Sequence, residues 1–410
     1  MVIHQAFKFR LYPNADQRQA LSRQFGCSRF VYNFFLRERM DFYAAHKGEK
    51  KQDLTFHDTA LRLTALKRQP EYAWLCEVNS HALQVALRDL DTAYRNFFAG
   101  RGKFPKFKSR RARQSFGVPQ RFTLDAEQGR LAIPKLTPLK IVVHRPVRGT
   151  LKSVTISCSP SGRYFASILC EVEMQDPPSK RRGKELGLDL GLKSLVVTSQ
   201  GEKIDPPQFL RRAEEKLGRV QRQLSRKEQG SQNREKARVK VARLHEKVAN
   251  QRADFLHKLS CRLIDESQAI YVESLNVKGM LGNHHLARSI SDAGWGEFLR
   301  QLQYKAAWYG CRLETIGRFY PSSQWCHNGD YRKVDLRLAE REWDCPVCHD
   351  RDVNAALNIL HEGRARSEVK RRAGTARTDR KCRSLRPTPG EIRASRAGLG
   401  TRKLPALAVE

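Results

Sequence analysis

Three acidic residues occupy awkward places in this chain. Asp189 interrupts the apolar run "LGLDLGLKSLVV", Glu273 does the same in "AIYVESL" at the carboxyl end of another strand, and Asp352 stands at the head of "DVNAALNIL". A charged group in a buried strand is costly unless something pairs with it. Singly, each has an ordinary reading. Asp352 in a first helical turn is favoured by the helix dipole, so alone it reads as a cap. Asp189 and Glu273 alone read as strand ends or salt-bridge partners. As a set they read differently. Two strand carboxylates and one helix-start carboxylate, drawn from separate elements, are what holding two divalent cations requires. Mg²⁺ prefers hard oxygen ligands and keeps several waters. Two such ions, roughly 4 Å apart, clamp the attacking water and the leaving oxygen of a phosphodiester.

A second group surrounds Asp352 in the sequence. Cys345 and Cys348 form a C-x-x-C and Cys326 precedes them, but Gly329 stands where a second C-x-x-C would close the set. Structural zinc takes four tetrahedral N/S ligands. Three thiolates with one histidine would satisfy it. His327 and His349 each neighbour a cysteine, which makes simultaneous coordination awkward. The zinc-bound and zinc-free readings both stay open here. His284 and His285 read as polar loop histidines.

The formal net charge is +34 over 410 residues, with Lys and Arg outnumbering Asp and Glu by 77 to 43. Such an excess points to a polyanion, most simply nucleic acid. No apolar run is long enough to span a bilayer, and "MVIHQAFKFRLYP" carries charges where a signal peptide is apolar. The expectation is an intracellular, cytoplasmic protein with no membrane partner. The ten cysteines lack a disulfide-framework spacing, and most, such as Cys27, Cys76 and Cys261, are expected to be core thiols. In "GRGKFPKFKSRRARQSF", bases alternate with aromatics. Lys103, Lys106, Lys108, Arg110 and Arg111 can neutralise phosphates while Phe104 and Phe107 stack on bases. The same loop also reads as a solvated segment anchored by its rings. Lys8 and Arg10 on the first strand join the candidate nucleic-acid set.

The elements that must position these residues follow from periodicity. "AFKFRLYP" alternates as a strand, and Asn14 is an N-cap for a helix to Gln24. "CSRFVYNFFLRERMDFYAAH" is read as a second helix and residues 79–98 as a third, stopped at Gly100. Residues 115–178 read as short antiparallel strands expected to form a small barrel, and 176–185 as a linker. Then come two strands, a charged helical hairpin over 207–265 broken at "KEQGSQNRE", the strand "QAIYVESLNV", a flexible lid from "KGMLGNHH" to Trp295, a helix, and the strand "RLETIGRF".

In order, "GLDLGLKSLVV", "YVESLNV" and "HDRDVNAALNIL" resemble the split RuvC-like nuclease motifs of the TnpB family, the OrfB-type RNA-guided DNA endonucleases encoded by transposons and related to type V CRISPR effectors. "AFKFRLYPNADQRQALSRQFGCSRFVYN", "QVALRDLDTAYRNFFAGRGKFPKFKSRR" and "YPSSQWC…REWDCPVC" resemble that family's N-terminal, recognition and zinc-ribbon motifs. The resemblance covers roughly residues 1–360. It implies a multidomain α+β fold: a β-barrel wedge (1–12 and 112–178), a helical recognition domain (13–111), an RNase H-like RuvC nuclease domain (179–320 and 350–362) and a zinc-ribbon-like insert (321–349). A disordered basic tail (363–410) completes the expectation. The resemblance also implies catalytic Mg²⁺ positions at Asp189, Glu273 and Asp352, zinc positions at Cys326, Cys345 and Cys348, a guide RNA from the transposon end, and a double-stranded DNA target met by a monomer or homodimer. The expected activity is Mg²⁺-dependent RNA-guided DNA cleavage. Its alternative is an RNA-guided DNA-binding protein with impaired cleavage, because the altered ribbon and the compressed "CPVCHDRDVNAA" threaten the placement of Asp352.

Overall fold

The computed structural model describes residues 1–46, 54–174, 183–329, 331–334, 342–343 and 349–383. The expected linker lies largely outside these residues, as do Cys345 and Cys348.

Strand β1 (Val2–Leu11) leads into α1 (Ala15–Ala45), whose Asn14 forms a capping box with Gln17. The sequence suggested two helices here, yet α1 runs unbroken through Gly26. A mid-helix glycine costs only about 1 kcal/mol, and burial of Leu21, Phe25, Val31 and Phe35 along the helix outweighs it. Helix α2 (Phe56–Leu66), a 3₁₀ turn (Pro70–Cys76) and α3 (Ser80–Phe98) share a core with α1 that includes Leu63, Leu75, Leu83 and Leu87.

Strands β2 (Gln114–Val118), β3 (Thr123–Asp125), β4 (Arg130–Ile133), β5 (Leu136–Val142), β6 (Thr150–Cys158) and β7 (Tyr164–Glu173) join β1 in an antiparallel sheet ordered β2-β6-β7-β1-β5-β4-β3. Among the described residues no pairing joins β2 to β3, so in its hydrogen bonding this sheet is open. Phe9, Val154, Ile156, Ala166 and Ile168 form its apolar face.

The second sheet holds Asp189 and Glu273. Strands β8 (Lys184–Asp189), β9 (Val196–Thr198) and β10 (Lys203–Ile204) form an antiparallel run, three strands where the sequence suggested two. The helical hairpin α4 (Phe209–Ser225) and α5 (Gln232–Glu266) leads to β11 (Ser267–Glu273), which pairs parallel with β8. The segment expected to be a flexible lid contains α6 (Val277–Met280) and α7 (Ala287–Ala293), and Ile290 and Ala293 are buried against the core. Helix α8 (Trp295–Tyr309) then leads to β12 (Arg312–Ile316), parallel to β11, and the sheet order is β10-β9-β8-β11-β12. The short strands β13 (Glu342–Trp343) and β14 (His349–Asp350) pair with each other before α9 (Arg351–Arg383). Helix α9 continues past residue 363, where a disordered tail was expected. Arg-rich composition does not oppose a helix, because Arg and Ala both favour that state. Residues 384–410 lie outside the described residues.

Side chains alternate across a strand, and this sheet uses both faces. Leu186, Leu188, Ile270 and Val272 pack with Leu259, Leu263, Phe298 and Leu302 of α5 and α8. On the opposite face, Tyr271 and Ala269 pack with Ile359 and Leu360 of α9. That helix lies very close. A Cβ at Gly187 would fall on the Ala356 carbonyl oxygen and 2.7 Å from the Leu360 nitrogen, and one at Gly363 would fall on the Tyr271 ring. Arg364 donates to Glu185 at 2.6 Å, and Lys203 pairs with Asp350, the residue that precedes α9.

Some thiols depart from expectation. Cys27 is buried, but Cys76 and Cys261 are exposed, since each falls on the outward side of its helix. No described helix is long and apolar enough to cross a membrane.

The glycine contact yields a test. Gly187→Ala is expected to lower stability by about 1–3 kcal/mol, the range for overpacking a rigid core, read as a fall in the midpoint of denaturant unfolding.

Candidate active site

Asp189 and Glu273 are the last residues of adjacent parallel strands, one step beyond the Leu188–Val272 register pair. By strand alternation both share the face of Gly187 and Tyr271, the face covered by α9. Asp352 lies in the first turn of α9. The cap of that helix is Asp350, whose Oδ1 accepts from the backbone nitrogens of Asp352 and Val353, both at 3.1 Å. The sequence left Asp352 between a cap and a site residue; the capping contact is made by the aspartate two residues earlier.

Glu273 and Asp352 both act on Asp189. Asp189 keeps part of its surface exposed, yet it lies deep in protein. Burial, then the charges of Glu273 and Asp352, push its carboxyl up from 3.8 to about 7, while Arg351 pulls the other way. Converging like charges favour either a proton or a cation. All three donors are hard oxygens, which suits Mg²⁺ better than zinc. The cluster is looser than a closed cage: among the described residues, no three His, Cys, Asp or Glu side chains gather as ligands of a single ion.

A buried amide ladder joins α9 to the segment from Ser322 to His327. Asn354 and Asn358 are 1% and 4% exposed. Their amides donate to the Trp325 carbonyl, each at 2.6 Å, and Asn358 also donates to the Ser322 carbonyl at 2.7 Å. Asn354 Oδ1 accepts from the His327 backbone nitrogen at 3.0 Å and lies 3.0 Å from its Nδ1. Ser322 Oγ donates to Glu273 Oε1 at 2.5 Å. Sequence reading passed over these residues. The signal present was the pair of asparagines four apart on an otherwise apolar helix face. Of the zinc candidates, Cys326 is buried, and Cys345 and Cys348 lie outside the described residues. Gly329 has open space where a Cβ would stand.

The basic candidates divide. Lys8 lies 4.3 Å above the Phe165 ring, and Arg10 lies 5.1 Å from the same ring. Burial and then Arg113 hold the Lys8 ammonium below its usual value. Lys108 sits 3.9 Å over Tyr32 and pairs with Asp89 at 4.0 Å, while Asn33 bonds its backbone in both directions. Lys103, Lys106, Arg110 and Arg111 are exposed, as are Phe104 and Phe107. A groove of about 520 Å³ along the α4–α5 hairpin adds Arg163, Lys216, Lys240, Arg243 and Lys247. The sequence showed these charges without showing that they line one hollow. His284 and His285 line a separate cavity of about 310 Å³ with Arg211 and Arg288.

Comparison with known proteins agrees with this layout. Residues 167–284 match the family model described as "Probable transposase", residues 295–359 that of the Cas12f1-like TNB domain, and residues 1–48 a helix-turn-helix domain of the same transposon group. A Streptomyces pristinaespiralis protein named "Putative RNA-guided DNA endonuclease" is 44% identical over 370 residues, spanning 89% of this chain and 90% of its own. The Escherichia coli K12 protein "Putative RNA-guided DNA endonuclease InsQ" is 36% identical over 381 residues, spanning 88% and 92%. In fold, the chain resembles Cas12f1 from a cryo-EM structure of a Cas12f1–sgRNA–target DNA complex, with TM-score 0.53, 12% identity, and coverage of 88% of this chain and 99% of that one.

Two outcomes are expected. The Asp189 carboxyl holds its proton more tightly in the folded chain, so its stabilising contribution is full below pH 3.8 and is lost as pH rises through about 7. Melting in EDTA should therefore show Asp189→Asn gaining on the wild type from near zero at pH 4 to about 3–4 kcal/mol at pH 8. Separately, Gly329→Cys should be accommodated, and metal analysis should find it carrying close to one equivalent of zinc.

Proposed function

The chain belongs to the TnpB family, the OrfB-type proteins of transposable elements, and on that premise we propose that it is an RNA-guided, Mg²⁺-dependent DNA endonuclease cutting by two-metal hydrolysis. The observation that carries this reading is the Asp189 carboxyl, raised to about 7 by burial and then by the charges of Glu273 on the adjacent strand end and Asp352 in the first turn of α9. The sheet order β10-β9-β8-β11-β12, antiparallel in its first three strands and parallel in its last two, supports an RNase H-like RuvC core.

On this reading Asp189 is the central ligand, flanked by Glu273 from the neighbouring strand and Asp352 from the helix. When bound, two Mg²⁺ ions supply Lewis acidity at the scissile phosphate and lower the pKa of the attacking water. The chain's own work is positional. It brings three acceptors together at the sheet's carboxyl edge, fixes their approach through α9, and sets them in a protein of net charge +34 that draws in nucleic acid. The exposed bases of the 103–111 loop and the α4–α5 groove neutralise phosphates, and base pairing to the guide supplies sequence choice. Cys326 with Cys345 and Cys348 would hold a ribbon-like insert beside this centre.

The alternative, a guided DNA binder that does not cut, rests on Gly329 and the short spacing to Asp352. The Asp350 cap and the close docking of α9 at Gly187 favour cutting, because they orient Asp352 from within the helix.

The test co-expresses the chain with RNA from its gene's 3′ flank and challenges it with a plasmid library carrying a randomised motif beside a fixed target. Cleavage next to an enriched motif, lost in EDTA, is expected. Asp189→Ala, Glu273→Ala and Asp352→Ala should each reduce it at least about a thousandfold while RNA still co-purifies. Specific RNA retention without any cleavage would establish the alternative.

A further inference from the structure

Glu273 differs from its two partners in one physical respect. It is the only glutamate of the three, with one more side-chain torsion than aspartate and more rotamer freedom to lose. Something must hold it if it is to present a fixed oxygen.

That group is Ser322. Its hydroxyl donates to Glu273 Oε1 at 2.5 Å, and the residue is only 7% exposed. Its backbone is fixed on both sides. The Ser322 nitrogen donates to the Tyr320 carbonyl at 2.9 Å, and the Ser322 carbonyl accepts from buried Asn358 at 2.7 Å. Tyr320 packs against the cluster of Tyr271, Ile359 and Leu360. The hydroxyl is therefore carried by a segment tied to α9, the same helix that carries Asp352. One oxygen of Glu273 is engaged by the serine. A carboxylate has acceptor capacity for more, so its other oxygen remains able to meet a cation.

We propose that Ser322 is a positioning residue that orients Glu273 for cation binding, so that the base of the insert sets the active centre through the chain Asn358–Ser322–Glu273. This rests on the metal-holding role proposed for Glu273. It moves the influence of the insert from Asp352, where the sequence put it, to the strand carboxylate. Partners that orient a ligand in this way are commonly worth 10- to 100-fold in metal affinity.

The test uses the full chain as wild type, Ser322→Ala and Ser322→Thr. Thermal melting without RNA is followed during a Mg²⁺ titration, and cleavage is measured with the guide RNA. Ser322→Ala should melt close to wild type in EDTA, yet need about tenfold more Mg²⁺ to reach half of the metal-dependent rise. Its kcat should fall about 10- to 100-fold with KM for DNA unchanged, and Ser322→Thr, which keeps the hydroxyl, should recover most of both. A wild-type Mg²⁺ response matched by Ser322→Ala would overturn the inference alone. So would equal losses in the alanine and threonine variants, since the hydroxyl would then not be the cause. Absence of both a Mg²⁺ response and cleavage in the wild type would overturn the reading of the site and this inference with it.

Discussion

The closeness of α9 to the β8–β11 pair is the constraint on which the rest depends. A carboxylate on a helix can join carboxylates at the ends of two strands only if the helix lies almost on the sheet. Gly187 permits this on β8, and Gly363 permits it on the helix, where the Tyr271 ring fills the space a side chain would need. Packed interiors leave little room to absorb even one extra methyl group. The Glu185–Arg364 and Lys203–Asp350 pairs then fix the helix against sliding. Every other feature of the centre inherits its geometry from this contact.

That contact forces an electrostatic conflict. Asp189 is surrounded by protein and faced by two further acids, and its raised proton affinity records the cost. The fold accepts this cost in a place where the neighbouring aspartate, Asp350, has taken over the ordinary structural duty of capping the helix. Two aspartates separated by a single residue thus do different work. The division is set by which one precedes the first helical turn and which one lies within it.

The segment from Ser322 to His327 enters the same frame through amide chemistry. Asn354 and Asn358 are buried polar groups, and such groups persist in native interiors when their hydrogen bonds are met. Here their amides are met by the Trp325 and Ser322 carbonyls. The helix that carries Asp352 therefore also holds the segment from Ser322 to His327.

Local order was legible in the sequence wherever one residue type sufficed to set it. The Asn14 cap, the helix stopped near Gly100, the break in the α4–α5 hairpin and the presence of the buried strand β11 all followed from period and turn chemistry, although β11 ends at Glu273 and not at the expected Val277. The places of Asp189 and Glu273 at two strand ends were legible too, because a charge in an apolar strand is conspicuous in one dimension. What the sequence misjudged were competitions. Gly26 loses to the packing of α1, the supposed lid folds into short helices against Ile290 and Ala293, and the Arg-rich stretch after residue 363 continues as helix. Composition alone does not say which term wins. The tertiary structure alone decided that Asp350 caps and Asp352 does not, that Gly187 is a docking surface, and that Ser322 meets Glu273. Each of these is a contact between atoms far apart along the chain, or a choice between near-identical neighbours. Spacing cannot encode such distances; only the closing of a helix onto a sheet can.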